Sequence, residues 1–182
     1  MARSPQLEML KKEKSAYGGE LLKTRAGRAR GRPIDTKNTT HLVLRSTKAT
    51  KAWSFLKHFK PIKAIIKNFA FKYGIRVISM AIVGNHIHMH IKITNRYGYK
   101  AFIRAITSAI AMTVTRASRW NPLKKNASDK FWDYRPFTRV IQSFKDYLNL
   151  KDYIEINRFE GFGYTREQAK FVIGWEAAIN TS

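Results

Sequence analysis

His86 and His88 stand two residues apart in the run Gly84-Asn85-His86-Ile87-His88, at the start of an apolar stretch. In a strand alternate side chains share a face, so the two imidazoles point one way while Ile87, Met89 and Ile91 point into a core. Imidazoles placed like this flank one open coordination position. Far downstream, Lys151-Asp152-Tyr153-Ile154-Glu155-Ile156-Asn157 carries a phenol and an amide four residues apart, which makes them neighbours on one face of a helix. The two runs together supply a nucleophile, Tyr153, and three candidate metal ligands, His86, His88 and Asn157.

A phenol, with an ordinary pKa of about 10, attacks poorly at neutral pH unless a cation stabilises its anion. A divalent ion on His86, His88 and the Asn157 amide would also polarise a phosphate and orient it in line with the Tyr153 oxygen. Imidazole favours Mn, Zn or Ni, whereas a mixed nitrogen and oxygen site that includes substrate phosphate also works with Mg, so Mg or Mn is the expected cofactor. The same residues have a plainer reading, as hydrogen-bonded histidines on a strand and a tyrosine in the core or at its rim. His90, on the face of the pair, is either an ordinary sheet residue, a support for the ligands or a DNA contact.

The charge names the partner. Lys and Arg number 35 against 12 Asp and Glu, a formal net charge of +23 in 182 residues, which far exceeds what solubility requires and points to a polyanion. With 44% apolar and 13% aromatic residues the chain is no basic tail: it folds and carries its charge on a surface. There is no cysteine, which excludes disulfides, thiolate metal sites and cysteine nucleophiles and suits a reducing compartment. No apolar run reaches the roughly 18 residues of a membrane span, and the N-terminus has no apolar signal core. The expectation is a cytoplasmic protein with no membrane partner.

Residues 1–38 are polar and basic, interrupted by Gly18, Gly19, Gly27, Gly31 and Pro33, and read as a flexible arm ahead of a catalytic domain at 39–182. Within the arm, Arg30 and Arg32 of Arg-Gly-Arg-Pro resemble an AT-hook core that lays arginines in a narrow minor groove; the alternative is a solvated basic linker. Leu42 to Arg45 reads as a first strand, followed by a helical turn over Trp53 to Phe59. Pro61 suits the first position of a helix that runs through Ile62, Ile65, Ile66 and Phe69 to Gly74. Ile75 to Val83, with Ile78, Met80 and Ile82 on one face, and His86 to Ile93 make a hairpin across Gly84-Asn85. A helix over Tyr99 to Arg119 buries Phe102, Ile106, Ile110 and Val114, and Phe131 to Ile141 suggests a fourth strand interrupted by Pro136. Ser143 and Asp146 open the helix that carries Tyr153 and Asn157; Thr165 and Gln168 open a last one. This order predicts an α+β, ferredoxin-like split βαβ antiparallel sheet with helices on one face and the tyrosine helix near the His-x-His strand. Val172 and Trp175 of the last helix either cap the sheet or form a homodimer contact.

Gly84-Asn85-His86-Ile87-His88-Met89-His90, Phe131-Trp132-Asp133-Tyr134-Arg135 and the Tyr153 to Asn157 run, in this order and over residues 40 to about 161, resemble the single-tyrosine HUH transposases, most closely the REP-associated tyrosine transposases. Gly84 and Arg158 stand where many members carry proline, neither of them a reacting group. The resemblance implies metal ligation by His86, His88 and Asn157, nucleophilic attack by Tyr153, and Arg135 near substrate phosphate. It further implies cleavage and rejoining of single-stranded DNA beside a hairpin through a 5′-phosphotyrosine. Arg45, Arg139 and Lys145 are further candidates for nucleic-acid contact. Two rivals keep the same features: a hairpin-binding module that does not cut, and a replication initiator or relaxase with the same histidine and tyrosine logic.

Overall fold

The computed structural model describes residues 33–118, 120, 130–133 and 135–179, except the side chains of 175–179. Arg30, Arg32, Tyr134 and the Trp175 side chain, all used in the sequence reading, lie outside the described residues.

Alternating apolar residues make the strands and the hairpin sets their register. β1 (Thr39–Arg45), β2 (Ile75–Ile82), β3 (His86–Ile93) and β4 (Phe137–Ile141) form one antiparallel sheet in the order β2-β3-β1-β4. α1 (Phe59–Lys72) lies between β1 and β2, α2 (Arg96–Thr115) between β3 and β4, and α3 (Phe144–Gly161) and α4 (Arg166–Ile179) follow β4. This is the α+β split βαβ sheet that the element order predicts. Gly84-Asn85 is the two-residue turn between β2 and β3, closed by Val83 N–H donating to the His86 carbonyl at 2.9 Å.

The sheet has two differently used faces. On one, Leu42, Leu44, Ile87, Met89, Ile91 and Ile93 meet Ile62 and Ile66 of α1 and Phe102, Ile106 and Ile110 of α2 in the main core. On the other, α3 lies across Ala81 of β2 and Ile141 of β4, held by Leu150 and Ile154. Leu150, Ile154 and Asn157 recur at helical spacing and are all buried, while α4 packs against α3. Gly161 lets the end of α3 approach the sheet: a Cβ there would stand 3.0 Å from the Ile82 carbonyl oxygen.

Several local features depart from the sequence reading. α1 starts at Phe59, so Pro61 occupies the third helical position; an N–H there would lack an intrahelical acceptor anyway, and proline is tolerated. The turn before α1 is a short 3-10 segment at Lys51–Trp53. A bulge between Val77 and Ser79 moves Ile78 out of the row, leaving Val77 and Met80 packed on the main core. α2 begins earlier than expected, because the Asn95 side chain caps it by accepting from Tyr97 N–H at 2.7 Å, and ends at Arg116 in the left-handed region at φ 56°. Phe131 and Trp132 are a plug rather than part of β4: Phe131 is buried, and the Trp132 indole donates to the Thr107 carbonyl of α2 at 3.0 Å.

Candidate active site

Because opposed residues on paired strands share a face, the register collects four imidazoles beneath α3. β3 brings His86, His88 and His90. On β1, His41 stands opposite His90 and Arg45 opposite His86. On the far side of β1, Arg139 of β4 stands opposite His41.

His88 is buried, and its Nδ1 lies 3.1 Å from His41 Nε2. Its other nitrogen, Nε2, is buried with no hydrogen-bond partner among the described residues. An orphaned nitrogen on a buried imidazole is costly unless something occupies the space before it. His86 is only partly buried; its Nδ1–H donates to the Asn85 side-chain oxygen at 2.8 Å, leaving Nε2 as the nitrogen with a lone pair. The His86 and His88 rings stand edge to face, centroids 4.7 Å apart.

α3 supplies the remaining groups. The Tyr153 ring meets His88 edge-on with centroids 5.2 Å apart and His41 at 5.9 Å, and at 37% exposure it stays open to solvent. One turn later Asn157, buried, donates from its amide nitrogen to the Tyr153 carbonyl at 2.7 Å. Its amide oxygen takes no part in that bond.

Burial sets the charge state. It pushes His88 down to about 3, with His41 and His86 adding to the effect, and pushes His41 down to about 4, assisted by His90 and Arg139. His86 is also lowered, by burial and then by Arg45, against the opposing influence of Asn157. At neutral pH the imidazoles are therefore uncharged and able to ligate.

Among the described residues no three or more of His, Cys, Asp and Glu gather in a way that could hold an ion. Of the residues expected to ligate an ion, His88 presents a buried Nε2 without a partner among the described residues, a nitrogen of the kind a divalent ion takes.

The other residues expected at the site are spread around this centre. Arg45 lies at its rim, 3.7 Å from the Asp133 carboxylate, which also accepts from the Thr47 N–H and hydroxyl at 2.8 and 2.9 Å. Asp133 of the aromatic run thus braces the end of β1. Arg139 pairs with Asp146 of α3 at 3.0 Å, while Arg135 and Lys145 are exposed. His90 is fully buried; its Nε2 lies 2.7 Å from the Thr39 hydroxyl and its ring packs on Tyr147, so it belongs to the sheet and does not reach solvent.

Sequence reasoning missed His41. Its alternation with Val43 and Arg45 placed it on the histidine face, but only strand register shows which histidine it meets. It also missed a groove of about 520 Å³ along the β2 edge between α1 and α3, lined by Lys63, Lys67, Arg76 and Arg158 together with Phe59 and Phe71. Arg158 is paired with Glu155 at 2.8 Å, and Phe71 is 92% exposed.

The sequence profile described as IS200-like transposase matches residues 36–157, a span that includes all of the histidines above, Tyr153 and Asn157. A comparison with curated proteins finds no match. Among solved structures, one of a REP-associated tyrosine transposase bound to a REP hairpin is similar, with TM-score 0.56 and 15% identity over 74% of each chain. Another, a candidate transposase from Deinococcus radiodurans R1, gives TM-score 0.44 and 14% identity over 74% of this chain and 98% of that one. The first of these likenesses establishes a shared fold.

Proposed function

This chain belongs to the IS200-like transposase family, and from that premise we propose that it cleaves and rejoins single-stranded DNA beside a hairpin, with Tyr153 as nucleophile. The observation that carries this reading is the Tyr153 ring set 5.2 Å from His88, whose buried Nε2 lacks a partner among the described residues.

In the reaction the Tyr153 phenol loses its proton and its oxygen bonds to phosphorus. The bond from phosphorus to the 3′ oxygen breaks, and that oxygen takes up a proton as it leaves. The products are a 5′-phosphotyrosine and a free 3′ hydroxyl, and the reverse attack by a hydroxyl rejoins a strand without ATP. Bound Mg or Mn would supply Lewis-acid polarisation of the scissile phosphate. His86 and His88 would hold it through Nε2 and Asn157 through its amide oxygen. The Asn157 bond to the Tyr153 carbonyl ties ligand and nucleophile to one helical turn. α3 over the sheet keeps water from one side of the site.

The groove beside β2 supports a single-stranded partner. Its cations Lys63, Lys67 and Arg76 suit a phosphate backbone, and the exposed Phe71 suits base stacking. The solved structure with the same fold is bound to a REP hairpin, which makes hairpin DNA the first substrate class to try. On this reading residues 39–182 form the catalytic domain, and the basic stretch with Arg30 and Arg32 contributes phosphate contacts.

The test mixes the protein with a library of labelled single-stranded hairpins of varied flanks and Mn or Mg. A denaturation-resistant adduct that needs both metal and Tyr153 is expected. Salt-sensitive binding with no adduct across the library would favour a hairpin-binding module that does not cut.

A further inference from the structure

His41 and His88 are diagonal neighbours across the β1–β3 pair, since His41 stands opposite His90. Their rings lie nearly parallel at 20°, with centroids 5.4 Å apart and His41 Nε2 3.1 Å from His88 Nδ1. Both side chains are buried, at 9% and 5% exposure. A hydrogen bond between two neutral imidazoles holds a single proton, so the choice of donor fixes the tautomer of both rings.

Two assignments exist, and they differ at His88 Nε2. If His41 donates, His88 carries its hydrogen on Nε2, a buried donor without an acceptor among the described residues. If His88 donates, Nε2 holds a lone pair directed at the space beside Tyr153. An unmet buried donor costs about 1–3 kcal/mol, and nothing described near Nε2 offers to accept it. A lone pair there is met as soon as a cation occupies the position. Arg139, opposite His41 on β4, disfavours any second proton on the pair. His41 is packed by rings on its remaining sides, with Phe137 and Tyr153 both edge-on at 5.9 Å, so it has little freedom to turn away.

We infer that His41 is a positioning residue: by accepting the His88 Nδ1–H it holds His88 in the tautomer whose Nε2 can ligate a divalent ion under Tyr153. The inference rests on the proposed ligand role of His88. It assigns a function to a residue that touches neither substrate nor metal, and it follows the general pattern in which the second nitrogen of a ligating histidine is held by an outer partner.

The variants that test it separate hydrogen bonding from packing. His41→Phe keeps a ring against Phe137 and Tyr153 but removes the acceptor. His41→Gln discards the ring and returns a carbonyl oxygen close to where Nε2 lies. Two readouts are taken: imidazole ¹⁵N shifts of the metal-free protein, which report the tautomer directly, and Mn²⁺ affinity by calorimetry with a hairpin oligonucleotide bound. The expectation is a Nδ1–H tautomer at His88 in the parent and in His41→Gln. His41→Phe should lose that tautomer and about 10–100-fold in Mn²⁺ affinity, the usual effect of deleting an outer partner, with His41→Gln recovering most of it. A packing role predicts the opposite order, with His41→Phe near the parent and His41→Gln impaired, and that order would overturn the inference. A Nε2–H tautomer in the parent would overturn it as well. If the parent takes up no Mn²⁺ with the oligonucleotide present, the metal reading of the site fails and the positioning role falls with it, even where the spectra show the shared proton as assigned.

Discussion

Asn157 donates its amide hydrogen to the carbonyl of Tyr153 at 2.7 Å, inside the helix that carries both. The bond engages the amide nitrogen and leaves the amide oxygen out of it. A side chain with an oxygen in that place can act as a ligand; one without it cannot. Asn157→Asp is therefore expected to retain Mn-stimulated cleavage, and Asn157→Ala to lose it. Cleavage assays across a Mn titration check this, and equal activity in Asn157→Ala would remove Asn157 from the ligand set.

The histidine pair should be more sensitive than anything around it. His86→Ala and His88→Ala are each expected to reduce cleavage beyond the roughly 10–100-fold assigned to an outer partner, while hairpin affinity in EDTA stays near that of the parent. Gel-shift and cleavage titrations on the same oligonucleotide separate the two effects. Parallel loss of binding and cleavage would show that these residues serve the fold or the DNA contact instead.

Acid should unfold this protein early. His41 and His88 have folded-state values of about 4 and about 3, below the ordinary value near 6.5 for the unfolded chain. Between those limits the unfolded chain binds protons that the folded one does not, so stability is complete above about pH 6.5 and falls as the pH drops toward 4. Each imidazole contributes a slope of about 1.4 kcal/mol per pH unit in that window. Urea midpoints measured at pH 7.5, 6 and 5 should fall in that order. Identical midpoints at pH 7.5 and 5 would contradict the buried neutral pair.

The groove beside β2 makes a prediction about salt. Replacing Lys63, Lys67 or Arg76 with Ala should lower the slope of log affinity against log salt by about 0.7 for each single-strand phosphate that the protein no longer neutralises. The covalent step at saturating DNA should be unaffected. Slopes unchanged in the triple variant would place the strand elsewhere.

Much of this fold is written in short-range patterns. Alternation in His86 to Ile93 sorts the histidines from the core residues, Gly84-Asn85 marks the hairpin, and Ser143 caps α3 by accepting from the Asp146 N–H at 3.1 Å. Each of these rests on neighbours close in the chain. The features that escaped are long-range. His41 meets a residue 47 positions away, and strand pairing alone brings them together. Phe131 and Trp132 have strand-like composition, but a place in the core against Phe55 outweighs that propensity. The bulge at Ile78 changes which β2 residues face the main core, and periodicity carries no sign of it. The candidate ligands and nucleophile were thus visible in the sequence, and the contact of His41 with His88 was not.

The central claim is that Tyr153 becomes joined to DNA. The measurement is to trap the reaction of the protein with a hairpin oligonucleotide in Mn²⁺, digest both components, and locate the nucleotide by peptide mass spectrometry. The account predicts a 5′-phosphonucleotide on the peptide containing Tyr153, and no adduct from Tyr153→Phe or in EDTA. A covalent adduct mapped to any other residue, or one that persists in Tyr153→Phe, would contradict it.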